Sequence, residues 1–396
     1  MASLSAKFIA PLMPCNLPVR RCPVARKDAS KRILLMRLAA HGDVLMGTPL
    51  LAAIRDAWPD AHLTWIVGPD ARGAIEAHPD VDEILLWQTD YWTRRLRKGR
   101  PLFYPVWAFR ARALRRALKA NAYDVFLSLQ PEEFPGFVAC VAAPLTIGVF
   151  DTFRQFHNAA ATSPYARCYT HSFTATDLPE HRIDQYLLPL RALGLPPPVD
   201  KRMRMGFTAE DAQTAARFLT SQGLPAGKPF VTLAPMTTWP SRCWLADRYV
   251  ALGDALARSG HPVVLIGSAQ ERAAVAEIGA LMQSPPIVAT GVLSFRQMAA
   301  LLARSAALVS GDTGPMHVAS AVGTPFVSLF GPTPVAGRAP LAGRGVALMH
   351  PVPCGPCDQK VCPNTGEDFM RCMKLLTVAE VLSAVKALLE SQETIP

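Results

Sequence analysis

The residues best suited to chemistry form the stretch Ser310-Gly311-Asp312-Thr313-Gly314-Pro315-Met316-His317. Gly323-Thr324-Pro325 and Phe330-Gly331-Pro332-Thr333 follow it. An apolar run at 306–309 reads as a buried strand, 316–322 as a helix and 326–329 as a second buried strand. The Gly-Asp-Thr-Gly-Pro break therefore falls where a strand turns into a helix, and Pro315 suits the first helical position. Such a turn offers backbone N–H groups and the positive end of the helix dipole, which together attract an anion, above all a phosphate. Asp312, Thr313 and Gly314 are candidate contacts to it. His317, one turn into the helix, can reach a phosphate or sugar; the alternative is a packed, hydrogen-bonded histidine.

A second candidate lies near the start of the chain, in Arg37-Leu38-Ala39-Ala40-His41-Gly42-Asp43-Val44. Gly42 permits a tight turn after a strand, and Asp43 then stands at the strand's carboxyl end, where open α/β sheets bind ligands. Asp43 is equally well read as a helix cap. The G-x-G-x-x-G loop of dinucleotide binding is absent here. In the second half, 233–239 ends a strand in a polar loop containing Thr237, and Ser241-Arg242-Cys243-Trp244 precedes a helix. Arg242 can hold a phosphate through paired hydrogen bonds, or be a solvated surface arginine. Cys354, Cys357, Cys362 and Cys372 are spaced C-x2-C-x4-C-x9-C in a loop rich in proline and glycine. They can ligate structural zinc or iron; oxidation-prone reduced thiols are the alternative.

Positioning these groups requires a scaffold, and apolar runs alternate with helical ones from residue 31 onward. Strands are expected at 33–36, 63–67, 84–87, 125–129 and 146–149, with helices at 50–58 and 106–119. Leu195-Pro196-Pro197-Pro198 fits neither a helix nor a central strand and reads as a linker. Alternation then resumes, with strands at 231–233, 263–266, 287–289, 308–310 and 326–329, helices at 245–258, 271–282 and 295–304, and a last amphipathic helix near 378–389. This is the signature of α/β architecture: two Rossmann-like, doubly wound domains facing each other across a cleft. They are expected at 31–195 and 206–375, joined by a linker at 196–205. No short-period repeat is present.

Composition narrows the class further. The 396 residues exceed one ordinary core. No run of 18 apolar residues occurs, so no membrane-spanning helix is expected. Residues 1–30 lack the apolar core of a secretory signal and read as a disordered extension of a cytoplasmic protein. Unevenly spaced cysteines in that compartment argue against a disulfide framework. The net charge is +10, and residues 91–119 hold ten Lys/Arg with no Asp or Glu. Trp92, Phe103, Tyr104, Trp107 and Phe109 interleave these charges, a pattern suited to an anionic membrane surface or phosphorylated lipid headgroup. A solvated helix face plus a loop is the plain alternative. No nucleic-acid-binding motif accompanies the charge.

Taken together, these motifs resemble glycosyltransferase family 9, the ADP-heptose:lipopolysaccharide heptosyltransferases. Ile33-Leu34-Leu35-Met36-Arg37 with Gly42-Asp43-Val44-Leu45 and Thr48-Pro49-Leu50 looks like the family's opening strand, Gly-Asp turn and first helix. Asp312 to His317 with Gly323-Thr324-Pro325 and Phe330 to Thr333 looks like its donor signature, and the cysteine-rich tail is similar to that of many members. The resemblance spans about residues 31–390. It implies the GT-B fold, a final helix (376–396) that often crosses back to the first domain, and inverting transfer that needs no metal. By position it makes Asp43 the general base. Thr313, Gly314 and the helix start hold the departing diphosphate, with Arg242 neutralising it. It implies ADP-heptose and the lipopolysaccharide core as partners, met at the cytoplasmic face of the inner membrane, where the basic segment faces the phosphates of the lipid acceptor. Ala39 and Ala40 replace small hydroxyl residues usual in the family, and Arg242 stands where lysine is common. Glu132, after the fourth strand, is a candidate for the acceptor side along with Gly42, or else is solvent-exposed. The same chemistry on another glycan or a protein, and an inert protein that keeps the donor site, are the competing functions.

Overall fold

The structure, a computed structural model, describes residues 30–87, 104–129, 143–150, 166–174 and 177–393. It divides into two compact units: Met1–Arg72 with Pro79–Val199, and Gly73–His78 with Asp200–Pro396. Among the described residues each unit is built on a six-stranded sheet in which every pair is parallel.

The first unit contains β1 (Arg32–Met36), β2 (His62–Val67), β3 (Glu83–Leu86), β4 (Val125–Ser128), β5 (Leu145–Val149) and β6 (His171–Phe173), in the order β3-β2-β1-β4-β5-β6. The second contains β7 (Val231–Ala234), β8 (Val263–Leu265), β9 (Ile287–Val288), β10 (Ala307–Gly311), β11 (Phe326–Leu329) and β12 (Gly345–Leu348), in the order β12-β11-β10-β7-β8-β9. The two windings are the same. Each begins at a central strand, steps outward twice, then reverses to the other side. The reversal lies between β1 and β4 in one unit and between β7 and β10 in the other. Loops at the carboxyl ends of such strand pairs separate to opposite faces and leave a crevice.

Central strands are mainly apolar because helices cover both faces of a parallel sheet. All of Val231–Ala234, Ala307–Gly311 and Phe326–Leu329 is buried. The ten expected strands are present. The strands β6 and β12 are additional: β6 is three residues long and largely exposed, and β12, apolar in sequence, is exposed at alternate residues. The helix Ala209–Ser221 is also additional; its start is fixed by a capping box between Thr208 and Asp211. Gly206 passes so close to the Ala77 carbonyl that no side chain fits there.

The last helix, Val378–Glu393, lays Val381, Val385 and Leu388 into the second unit's core beside Leu252 and Leu329. Trp244 Nε1 donates to the Leu376 carbonyl at 3.0 Å just ahead of it. Of the basic segment, the helix Tyr104–Asn121 is described, with Arg112, Arg115, Arg116 and Lys119 exposed; residues 91–103 lie outside the described residues. Among the described residues no helix is long and apolar enough to cross a membrane.

Candidate active site

In the first unit the candidate carboxylate sits in a short helix, not in the tight turn expected of Gly42. The helix His41–Met46 begins one residue earlier, burying Gly42 and setting Asp43 at its third position. There the carboxylate accepts from the Ala40 N–H at 3.4 Å, so the capping reading is part of the answer. The side chain does more than cap. Its Oδ2 lies 2.9 Å from an Arg37 guanidinium nitrogen, and the Tyr186 hydroxyl is 3.4 Å from Oδ1. Its side chain is still 29% exposed, while that of Arg37 is 12% exposed.

Arg37 leaves the end of β1 and also donates to the Leu129 carbonyl at 2.9 Å, just past β4. It therefore bridges the two strands at the reversal point. Its guanidinium carbon stands 5.4 Å from the centre of the Tyr186 ring. Burial acts to lower the Arg37 pKa, but the charges of Asp43 and Tyr186 outweigh it, and the guanidinium is held above its ordinary value. Two residues before Asp43, burial holds His41 below the ordinary histidine value against the opposing charge of Asp70.

The second unit repeats this plan with different residues. Arg242, in the turn Pro240–Arg242 after β7, reaches Asp312 after β10, with 3.3 Å to the carboxylate and 3.3 Å to the carbonyl of that residue. The two side chains are 11% and 5% exposed, a buried pair rather than a solvated arginine. Trp239 stacks on the guanidinium at 3.8 Å, and the Thr333 hydroxyl donates to Asp312 Oδ2 at 2.8 Å. A buried carboxylate needs such partners to stay charged at tolerable cost.

This cluster holds open the start of the helix Gly314–Val322. Thr313 is its N-cap in extended conformation, and its hydroxyl makes no capping hydrogen bond. A side chain added at Gly314 would meet open space, so the first turn is accessible to a ligand. Gly311 is the reverse case. A Cβ there would lie 2.9 Å from both the Arg242 carbonyl and the Thr237 methyl, so only glycine lets the Arg242 loop close over the strand. The Thr237 hydroxyl turns inward to the Trp239 carbonyl at 2.6 Å and holds that loop. His317 is 5% exposed, packed inside the helix–sheet layer.

Sequence reading missed Arg37, Tyr186 and Thr333 as site members. Arg37 and Thr333 stood within quoted motifs, but Tyr186 lies 143 residues from Asp43 and carried no signal. Glu132 lies outside the described residues. Cys354, Cys357, Cys362 and Cys372 are in no disulfide and line one small cavity. Burial, with the charges of the other three thiols, pushes the Cys372 pKa up. Among the described residues no group of three or more His, Cys, Asp or Glu side chains is set to hold a metal as it stands.

Comparison with known proteins gives the family. The sequence model of glycosyltransferase family 9 (heptosyltransferase) matches residues 111–367, more than half the chain. The chain is 26% identical over 296 residues to lipopolysaccharide heptosyltransferase 3 of Escherichia coli, covering 74% of this chain and 81% of that protein. Its fold matches a family 9 glycosyl transferase from Veillonella parvula DSM 2008 with a TM-score of 0.74 at 23% identity, over 91% of this chain and 97% of that one. It also matches the E. coli heptosyltransferase WaaC with ADP-2-deoxy-2-fluoro heptose, with a TM-score of 0.61 at 21% identity, over 91% and 99% of the two chains. This protein belongs to glycosyltransferase family 9, the heptosyltransferases, and is a transferase.

Proposed function

We propose that the enzyme transfers heptose from ADP-heptose to the inner core of lipopolysaccharide, with inversion at the anomeric carbon. The observation that carries this reading is the buried Arg242–Asp312–Thr333 cluster, which holds an accessible helix start at the end of β10. A diphosphate is the ligand such a turn favours. The names of the relatives supply the sugar and the acceptor class.

The second unit binds the nucleotide sugar. Thr313, the N–H of Gly314 and the dipole of Gly314–Val322 take up negative charge as the bond from the anomeric carbon to the diphosphate breaks and ADP leaves. Arg242 adds positive charge, and Asp312 and Thr333 fix its orientation. Thr237 and His317 support the turn from beneath. The first unit supplies the base. Asp43 takes the proton of the acceptor hydroxyl as its oxygen attacks the anomeric carbon, with Gly42 on the acceptor side next to it in the chain. Asp43 precedes the residues matched by the family model, so its role rests on its exposure and on the Arg37 and Tyr186 contacts. With these groups in place, catalysis requires no cofactor.

The acceptor is a lipid-anchored glycan, so the protein works at the cytoplasmic face of the inner membrane with residues 91–119 against its phosphates; nucleic acid is not a partner. Neutralising Arg94, Arg95 and Arg97 should weaken binding to anionic liposomes, and unchanged binding removes this role.

The direct test incubates the protein with ADP-heptose and truncated lipopolysaccharide, following ADP release and acceptor mass. Asp43→Asn should lower the rate by about 10²–10⁴-fold while ADP binding persists. Normal transfer by that variant would show the base to be wrong. ADP release that needs a different glycan or a protein substrate would move the acceptor assignment, and ADP binding with no transfer to any of these would mark an inert donor-binding protein.

A further inference from the structure

The cysteine-rich loop is not used by the chemistry above, yet it is built against the turns that hold the donor cluster. Ser241, next to Arg242, donates its hydroxyl to the Gln359 carbonyl at 2.6 Å and its N–H to the Lys360 carbonyl at 3.4 Å. The Asp358 N–H donates to the Pro332 carbonyl, next to Thr333. Gly331 lies against Cys372 and Met373 so closely that a Cβ would sit 2.9 Å from the Cys372 sulfur. The loop thus grips both sides of the Arg242–Asp312–Thr333 cluster.

The loop itself has little regular structure. It contains only short helical turns, Gly366–Asp368 and Arg371–Lys374, and Val361 and Phe369 are exposed. Asp358 and Met370 adopt left-handed backbone, two of three non-glycine residues to do so among the described residues. Such conformations persist only where surroundings enforce them. What they bring together is sulfur: Cys354, Cys357, Cys362 and Cys372 line one cavity with Ser241 and Pro332. Two of these sulfurs already accept hydrogen bonds, Cys354 from the Asn364 amide at 3.3 Å and Cys362 from the Met370 N–H at 3.3 Å. N–H···S bonds of this kind orient and stabilise metal-bound thiolates.

We propose that these four thiols bind one thiophilic divalent cation, Zn²⁺ or Fe²⁺, and that the bound ion locks the loop onto the donor cluster. Four sulfurs and no other ligand suit a closed tetrahedral structural site. The sulfurs are not yet set around one point. Moving one between staggered side-chain rotamers shifts it by about 3 Å, a change within reach of side-chain rotation. Binding displaces the thiol protons to solvent, with no change of oxidation state. The ion does not touch the reacting atoms; it acts through Ser241 and Pro332. This second half of the proposal rests on the donor assignment above, whereas metal binding does not.

The test uses the full chain purified under reducing, oxygen-free conditions without chelator. Elemental analysis should find one zinc or iron per chain, and Co²⁺ added to metal-stripped protein should give thiolate-to-cobalt absorption bands at one equivalent. Cys357→Ser and Cys372→Ser should weaken or abolish those bands. Wild-type protein that carries neither metal and gives no such bands overturns the site, whatever the variants do. Stripping the metal should weaken ADP binding by at least about fivefold, restored by Zn²⁺ or Fe²⁺, and by reciprocity ADP should tighten metal binding by the same factor. Equal ADP affinity in both forms overturns the locking role. If the loaded protein binds metal but no ADP, the donor assignment fails while the site stands.

Discussion

At the scale of single residues, each unit depends on one arginine that ties two strand ends together and fixes a carboxylate. Arg37 does so for Asp43, and Arg242 for Asp312. The carboxylates differ in exposure and so in role: that of Asp43 remains open to solvent, while that of Asp312 is sealed. Removing a hydrogen bond to a buried carboxylate costs about 1.5–3 kcal/mol. Thr333→Val, which keeps the shape but not the donor, should lose about that much in denaturant unfolding and bind ADP more weakly. Asp312→Ala leaves Arg242 buried without its counter-charge and should cost about 3–5 kcal/mol. At the other carboxylate, Tyr186→Phe deletes one hydrogen bond to a partly exposed group. It should slow transfer only several-fold, about 1 kcal/mol in the barrier, with ADP affinity unchanged. A loss in Tyr186→Phe as large as in Asp43→Asn would make the phenol itself a reacting group.

At the scale of elements, the donor turn is set by how tightly a loop packs on a strand end. Gly311→Ala places a methyl group against the Arg242 carbonyl and Thr237. The loop must lift, at about 1–3 kcal/mol for overpacking, and calorimetry should show weaker ADP binding with the Asp43 side untouched. The last helix is tied to the segment after β12 by His350, whose ring lies 2.9 Å from the Glu380 carboxylate. The hydrogen bond from His350 is the main reason that the Glu380 pKa lies below its ordinary value. A carboxyl with a depressed folded pKa contributes stability above its unfolded pKa and loses it as pH falls through the folded one. The melting temperature should therefore fall on the acid side of the ordinary glutamate range, and His350→Ala should flatten that part of the curve.

At the scale of the whole molecule, two copies of one winding carry two different chemistries. A helix start suited to diphosphate belongs to the second unit and an exposed carboxylate to the first. A ligand bound only by the folded state stabilises by about 2.7 kcal/mol at one hundred times its dissociation constant. ADP at that level should raise the melting temperature by several degrees. Asp43→Asn should keep the shift and Arg242→Ala should lose most of it. If both variants keep it in full, the nucleotide is held elsewhere.

The sequence by itself determined the class of fold, because strands buried on both faces read as largely apolar runs and helices between them must follow. It also determined the two places to look, since Gly-Asp and Gly-Asp-Thr-Gly-Pro stand where strands give way to helices. The strands β6 and β12 and the Ala209–Ser221 helix were not expected: β6 is short and largely exposed, β12 is half-exposed at a sheet edge, and the helix is marked chiefly by its Thr208–Asp211 cap. Only the tertiary structure decided the partners. Tyr186 reaches Asp43 from far along the chain, and Arg242 proved to be a buried counter-ion of Asp312 instead of a surface charge. The cysteine loop proved to be a brace on the donor turn. Hydrogen bonds and ion pairs of this kind join residues whose separation in sequence is arbitrary, and only the winding of the sheet brings them within reach.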